Sequence, residues 1–166
     1  MKMVLRLILV AALAALAVWL WTIFFPSPER VIKERLAKLA QDASFSQDEN
    51  NLIKLATAQN IPGFFSSNVV VTISVPEHMQ QTMTGRDEIR TAALASRQAA
   101  TDLNVKFPDI TVTVAPDKSS AVADVTVDAT VSGERDAIVQ ELKFTFQKID
   151  GHWLIGKVET VQNVSL

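Results

Sequence analysis

The sequence predicts an α+β fold in which three N-terminal helices pack on a curved, mainly antiparallel sheet, preceded by one transmembrane helix. Three observations support this class. The first 25 residues are dominated by an apolar run, the stretch that follows up to about residue 100 mostly has the period of helices, and the remainder has the two-residue period of strands. Because the helices come first and the long hairpins last, we expect the helices to gather on one face of the sheet.

Length and composition bound the possible functions. A chain of 166 residues is long enough for one domain of ordinary size. It contains no cysteine, which excludes disulfides, thiolate metal sites and cysteine nucleophiles. The formal net charge is −2, without a basic stripe. Since contacts between basic side chains and phosphates supply most of the affinity for nucleic acid, we expect no nucleic-acid partner.

The N-terminal residues predict a membrane anchor. Residues 7–25, LILVAALAALAVWLWTIFF, contain no charge. At about 1.5 Å per residue this run spans roughly 28 Å, close to the thickness of the hydrocarbon core of a bilayer. We predict that residues 1–25 are an uncleaved transmembrane anchor. The alternative is a signal peptide cleaved near the small residues at 11–17, but the apolar run continues well beyond them, whereas the apolar core of a signal peptide is shorter.

Basic residues on both sides of this run bear on its orientation. Lys2 and Arg6 precede the run and favour a cytoplasmic N-terminus, whereas four basic residues follow it: Arg30, Lys33, Arg35 and Lys38. Similarity to signal-anchor proteins with very short N-terminal tails favours the first arrangement. We therefore expect a single-pass membrane protein whose folded domain is periplasmic or extracellular, or a secreted protein if the segment is cleaved.

Three helices are predicted after the anchor. Ser27-Pro28-Glu29 is typical of a helix start, and the apolar face of this helix consists of Ile32, Leu36, Leu39 and Ala43. Residues 46–49 fit a capping box that starts a second helix; Pro62-Gly63 ends this helix, whose apolar residues are Leu52, Ile53, Leu55 and Ala56. A third helix is predicted over 84–100, with Ile89, Ala93, Leu94 and Arg97 along one side.

The strands are predicted from two-residue alternation. Residues 68–75 form one strand and 78–84 a short strand that pairs back on it. A four-strand antiparallel meander follows, over 110–114, 121–131, 138–148 and 153–161. Its apolar face consists of alternate residues, including Ile110 to Val114, Ala121 to Ala129 and Leu142 to Phe146. We expect this face to meet the helices and the opposite face to be solvated, or to be a dimer interface.

The last hairpin contains one of the two histidines. Asp150-Gly151 predicts a tight turn, because glycine accepts a positive φ. His152 lies at the edge of this turn and is expected to face solvent. Trp153 is expected to be buried against Leu142 or Phe144.

No catalytic or metal-binding constellation is recognisable. His78 lies two residues after Pro76. Asp124 and Asp128 lie on the solvated face, where both are expected to be cross-strand charge partners opposite Lys143. There is no cluster of metal-ligating residues, no phosphate-binding glycine loop and no nucleophile elbow in the sequence. We therefore predict no catalytic residues, no metal and no cofactor.

The order of elements resembles the nuclear transport factor 2-like superfamily, a cone-shaped, cystatin-like α+β fold that includes SnoaL-like cyclases and ketosteroid isomerases. Three stretches carry the resemblance: FFSSNVVVTI at 64–73, TGRDEI at 84–89 and FTFQKIDGHWLIGKVE at 144–159. The resemblance implies a domain over residues 29–162. The enzymes of this superfamily rely on tyrosines, histidines and acids inside the cone, whereas this chain has no tyrosine.

Two functions follow from the resemblance and the anchor. The first is a membrane-anchored, non-catalytic cone domain that mediates protein–protein interaction or assembly, as a homodimer or with a partner in a membrane complex. The second is a binder of a small apolar ligand, or a SnoaL-like isomerase, cyclase or dehydratase, that uses the cone cavity. The expected lining of that cavity is Phe64, Phe65, Val127, Phe144 and Trp153.

Overall fold

A computed structural model describes residues 10–17, 19, 26–74, 80–132 and 137–161. After the N-terminal helical residues 10–17, three α-helices, one 3-10 helix and six strands follow. The helices are α1 (Pro28–Ala43), α2 (Asn51–Asn60), the 3-10 helix (Ile61–Phe64) and α3 (Gly85–Ala99). The strands are β1 (Phe65–Ile73), β2 (Gln81–Thr84), β3 (Leu103–Val114), β4 (Ser120–Val131), β5 (Ile138–Ile149) and β6 (His152–Thr160).

The six strands form one mixed sheet in the order β2-β1-β6-β5-β4-β3. The predicted meander β3 to β6 is confirmed, and β2 pairs antiparallel with β1. The exception to the antiparallel pattern is the pairing of β1 with β6, which is parallel. The fold is therefore of the α+β class. Its sheet is mainly antiparallel, and the strands β1 and β6 lie side by side.

The first helix begins as predicted. Ser27 is the N-cap of α1, and its Oγ accepts a hydrogen bond from the Arg30 amide at 3.3 Å. Ile32, Leu36 and Leu39 are buried on one side of the helix. Because these residues recur every three to four positions, they form one apolar face. Helix α1 packs on β3.

The predicted start of the second helix is wrong. Helix α2 is capped by Asn50, whose Oδ1 accepts from the Leu52 amide at 2.9 Å, four residues after the predicted cap at Ser46. The Gln47 amide donates instead to the carboxylate of Asp102, which holds this segment outside the helix. The apolar residues of α2 also lie differently from expectation: Ala58 is buried, whereas Leu52, Ile53, Leu55 and Ala56 are exposed.

Pro62-Gly63 does not simply end α2, as predicted, but lies in the 3-10 helix, a fourth helical element that the sequence analysis did not predict. Its backbone is tied to α1, since the Arg35 guanidinium donates to the Gly63 carbonyl at 2.7 Å and lies 5.1 Å from the centre of the Phe64 ring. Burial lowers the pKa of Arg35 from its ordinary value. This contact fixes the entry of the chain into β1.

Strand β3 is longer than the predicted strand at 110–114. It begins at Leu103 and passes through a register shift between Lys106 and Asp109 that includes Pro108. Proline interrupts the two-residue pattern because it cannot donate to a ladder, yet edge strands and bulges accept it. β3 accepts the proline because it is an edge strand, and the interrupted pattern explains why the predicted strand began only at residue 110.

The sheet faces agree with the alternation in the sequence. On β4 the side chains of Ala121, Ala123 and Val125 are buried, whereas Asp124 is exposed on the opposite face. Asp124 lies opposite Lys143 in the register of β4 and β5, as predicted. The inner face therefore meets the helices, and the outer face of β4 and β5 carries charge.

The final hairpin confirms the predicted turn. Asp150 and Gly151 both have positive φ, 49° and 81°. His152 is exposed and Trp153 is buried, as expected. The expected neighbours of Trp153 are not its cross-strand partners, because the register places it opposite Lys148, whose Nζ lies 5.9 Å from the ring centre.

About half of the predicted anchor at 7–25 lies outside the described residues. Residues 10–17 of it are helical, with Val10, Leu13 and Leu16 exposed. In the part of the chain that the structure describes, no helix has both the length and the apolar character needed to cross a membrane. His78 also lies outside the described residues.

Asp102 ties the segment before α2 to the start of β3 and the end of β4. Its carboxylate accepts hydrogen bonds from the Ser132 hydroxyl and the Gln47 amide, while its own carbonyl accepts from the Ser132 amide at 3.1 Å. These two hydrogen bonds to the carboxylate lower the pKa of Asp102 below its ordinary value. The charged carboxylate is therefore the form that stabilises the fold.

Replacing Trp153 by alanine should destabilise the protein by about 3–5 kcal/mol, because the side chain is only 4% exposed and its loss leaves a cavity. Chemical denaturation monitored by circular dichroism measures the change. The neighbouring exposed His152→Ala is the control and should change the free energy of unfolding by less than about 0.5 kcal/mol. Equal effects of the two substitutions would contradict this packing.

Replacing Asp102 by asparagine should lower the melting temperature near neutral pH. Because the folded-state pKa is depressed, the stabilisation is present above the ordinary pKa of aspartate, about 3.9, and is lost as pH falls through the lower folded value. The difference in melting temperature between the variant and the unmodified protein should therefore shrink in acid. A difference that is constant from neutral pH to acid would refute the role of the charge.

Candidate functional site

A cavity of about 380 Å³ lies between α3 and the inner face of the sheet. This volume falls within the range of about 300–1,000 Å³ that is typical of small-molecule pockets. Residues of α1, the 3-10 helix, α3 and all six strands line it, and they are: Leu39, Ala43, Ile61, Phe65, Val71, Ile73, Met83, Ile89, Ala92, Ala93, Ser96, Arg97, Leu103, Val105, Phe107, Val127, Leu142, Phe144 and Val158. Ser96 and Arg97 are the polar members of this lining.

The cavity exists because the sheet bends away from small helix residues. The strands shift register at three places: between Phe65 and Val70, between Lys106 and Asp109, and between Thr145 and Phe146. Such irregularities bend a strand and increase its twist. On the helix side, Ala92 and Ala93 fill little of the space beneath α3. Curvature and short side chains together leave the volume empty.

The structure brings together part of the predicted lining. Phe65, Val127 and Phe144 line the cavity, on β1, β4 and β5. Phe64 does not line it, because its ring packs under the guanidinium of Arg35. Trp153 does not line it either, because it lies near the hairpin end of the sheet, beside Lys148.

Arg97 is held at one end of the cavity by the main chain around it. Its Nη1 donates to the Ala93 carbonyl at 3.0 Å, and its Nη2 donates to the Asp42 carbonyl at 2.7 Å and to the Thr57 hydroxyl at 3.4 Å. The guanidinium carbon lies 5.0 Å from the centre of the Phe45 ring. The Nε of Arg97 is buried without a hydrogen-bond partner.

The surroundings of Arg97 shift its pKa in opposite directions. Burial lowers the pKa of Arg97, while the nearby carboxylates of Glu49 and Asp42 raise it. Asp42 is already paired with Lys38, at 2.8 Å between the carboxylate and Nζ. Among the ion pairs of the described residues, none includes Arg97. Its positive charge is therefore partly desolvated and lacks a contact anion.

A second, more open cavity of about 790 Å³ lies beyond Phe45 and Leu103. These two residues exchange backbone hydrogen bonds of 2.8 and 2.9 Å, and Leu103 lines both cavities. The second cavity has a polar rim that includes Glu49 and Asp102, and one carboxylate oxygen of Glu49 is buried without a partner. The second cavity, which we call the polar groove, thus adjoins the end of the apolar cavity where Arg97 lies.

The remaining titratable candidates do not converge on the apolar cavity. Asp124 lines a small site of about 160 Å³ on the outer sheet face, together with Asp109 and Glu141. Asp128 lies opposite Val139 on β5 and opposite Lys106 on β3, so its basic cross-strand partner is Lys106 and not Lys143. No group of metal-ligating side chains suitable for an ion occurs among the residues that the structure describes.

Sequence reasoning missed the most distinctive residue of the site. Arg97 was placed on the apolar side of the third helix, in line with Ile89 and Ala93, but it was not singled out. That position was the available signal, because a charged residue on the buried face of a helix needs partners inside the fold. Those partners, Asp42 and Phe45, lie more than 50 residues earlier in the chain.

Comparison with known proteins identifies the fold. No family model and no curated protein matches the chain. Among solved structures, a cystatin-like protein of the nuclear transport factor 2-like type from Novosphingobium aromaticivorans is 19% identical, with a TM-score of 0.62 over 92% of both chains. A similar protein of unknown function from Pseudomonas putida is 10% identical, with a TM-score of 0.62 over 83% of this chain and 88% of its own.

A putative scytalone dehydratase from Novosphingobium aromaticivorans has the same architecture. It is 16% identical, with a TM-score of 0.59 over 80% of this chain and 83% of its own. Identities this low show a common fold and leave activity to be argued from the site. The chain therefore has the nuclear transport factor 2-like, cystatin-like cone fold that its hairpins and helix order had indicated.

Proposed function

We propose that this protein is a membrane-tethered, non-catalytic cone domain that binds a small apolar molecule in the cavity beneath α3. The observation that carries the proposal is the cavity itself, about 380 Å³ in volume with nearly all of its lining apolar. A core filled by side chains would favour a purely structural or assembly role. An unfilled apolar cavity within a folded domain favours a ligand, because burial of apolar surface drives binding.

The lining favours binding over catalysis. General acid–base chemistry needs a titratable group within hydrogen-bond reach of the substrate, with a pKa near the working pH. Among the residues that the structure describes, the lining includes no aspartate, glutamate, histidine, tyrosine or lysine, and an arginine stays protonated. A SnoaL-like isomerase, cyclase or dehydratase is the alternative, and turnover of a bound ligand would support it.

The tether is proposed from the apolar run at 7–25 and its flanking charges. It places the cone domain next to a bilayer, on the periplasmic or extracellular side. Apolar molecules partition into membranes, so a binding domain held at the surface would meet its ligand at a high local concentration.

A second candidate function is assembly with a partner protein or a second copy. It is favoured by α2, which exposes Leu52, Ile53 and Leu55, with relative exposures of 75%, 52% and 45%. Three large apolar side chains on one short helix are typical of a contact surface. This role is compatible with a ligand in the cavity.

Filling the cavity should weaken ligand binding. In Ala92→Phe a large ring enters the lined space, and the affinity for a neutral fluorescent probe such as N-phenyl-1-naphthylamine should fall about tenfold or more. The matched control is Ala95→Phe, the same substitution at an exposed position of the same helix. Fluorescence titration measures both, with circular dichroism as a check of folding. Equal affinities in the two variants would refute binding in this cavity.

Removal of residues 1–25 should release the protein from membranes and leave the cone domain folded. The full chain should remain in the membrane pellet after alkaline carbonate extraction, and the shortened chain should be soluble and bind the probe. A full chain extracted by carbonate would overturn the tether.

Native mass spectrometry of the shortened chain, alone and as Leu52→Ser, tests assembly: a monomer in both cases argues against self-association through α2.

A further inference from the structure

We propose that the ligand of the cone cavity is an amphiphile with an anionic head, an alkyl carboxylate, whose carboxylate is bound by Arg97. The inference rests on the proposed ligand-binding function and deepens it. Its basis is the position of one incompletely partnered guanidinium at the end of a cavity that is otherwise apolar.

The first step concerns the shape of the cavity. Ile89, Ala92, Ala93, Ser96 and Arg97 line it at the spacing of one helix face, so the cavity runs along α3. From Ile89 to Arg97 the helix rises about 12 Å. The Ile89 end is apolar, with Val71 and Met83 nearby on paired strands. An elongated space with one polar end suits an alkyl chain that has a single polar group.

Arg97 has hydrogen-bond donors that the protein leaves unused at the polar end of the cavity. An arginine carries five N–H donors, and three hydrogen bonds to the protein are formed by Arg97. Its Nε is buried without a partner. The Nη1 group carries two N–H donors and forms one hydrogen bond, so its second N–H is the donor that a ligand oxygen can engage. Ser96, the adjacent polar residue of the lining, can supply a further hydroxyl.

The charge of Arg97 favours an anion over a neutral acceptor. Burial destabilises the charged guanidinium, and among the described residues it has no contact ion pair. The carboxylate of Asp42 is engaged by Lys38, so Arg97 reaches only the Asp42 carbonyl. A carboxylate forms shorter and stronger hydrogen bonds to a guanidinium than an alcohol does. The nearby carboxylate of Glu49 would repel a bound carboxylate.

The test compares decanoate with decanol in displacing the neutral probe from the full chain in detergent. The ratio of their dissociation constants isolates the head group, because the two tails are matched. In the unmodified protein decanoate should bind about tenfold or more tightly than decanol. Within the carboxylate series, each added methylene should improve binding about fourfold until the cavity is full.

Two substitutions should move this ratio in opposite directions. Arg97→Met should remove the preference for decanoate, whereas Glu49→Gln should increase it, because the repelling charge next to Arg97 is lost. The matched control is Arg90→Met, on the same helix but exposed and paired with Asp87, and it should leave the ratio unchanged. Taking a ratio removes any general loss of affinity in a destabilised variant.

The outcomes separate this inference from the function on which it rests. If the probe binds in the cavity and decanol competes as well as decanoate in the unmodified protein, the carboxylate site is refuted and apolar ligand binding stands. If the preference for decanoate survives in Arg97→Met, another residue binds the head group and the assignment to Arg97 is overturned. If the probe does not bind, both proposals fall.

Discussion

Parallel pairing of β1 with β6 joins the two halves of the fold, because these are the first and the last of the six strands in chain order. Val71 lies beside Val158, so the hairpin of β1 and β2 and the meander from β3 to β6 become one sheet. Helix α3, which connects the two parts, packs against β1 and β2 at one edge of the sheet and against the 3-10 helix. The cavity, its long axis and the position of Arg97 all depend on this placement of α3.

The core is filled in one part of the fold and leaves a cavity in another. Large side chains such as Phe146 and Ile155 are fully buried near the closing hairpin, where the core is filled. Beneath α3 the lining includes alanines, and the irregular strands curve away from the helix. An apolar pocket that is open to solvent leaves its lining in contact with water, which is unfavourable. Its presence is easiest to explain if the missing contacts are supplied by a ligand.

Arg97 is supported by elements that meet only in the folded chain. The carbonyl of Asp42 at the end of α1 and the ring of Phe45 just after it hold the guanidinium in place. Phe45 in turn pairs with Leu103, which separates the apolar cavity from the polar groove that contains Glu49. A change in this small cluster would therefore affect the cavity, the groove and the contact between α1 and β3 together. The site is coupled to the stability of the whole cone.

Local chemistry in the sequence determined most of the element order. The Ser27 cap and the turn at Asp150-Gly151 depend on neighbouring residues alone, and alternation along the strands identified the inner face. The start of α2, the cross-strand partner of Trp153 and the role of Arg97 were decided by tertiary structure. Each depends on contacts between distant residues or on strand register, including a shift between Thr145 and Phe146, and such contacts leave no periodic signal in the sequence.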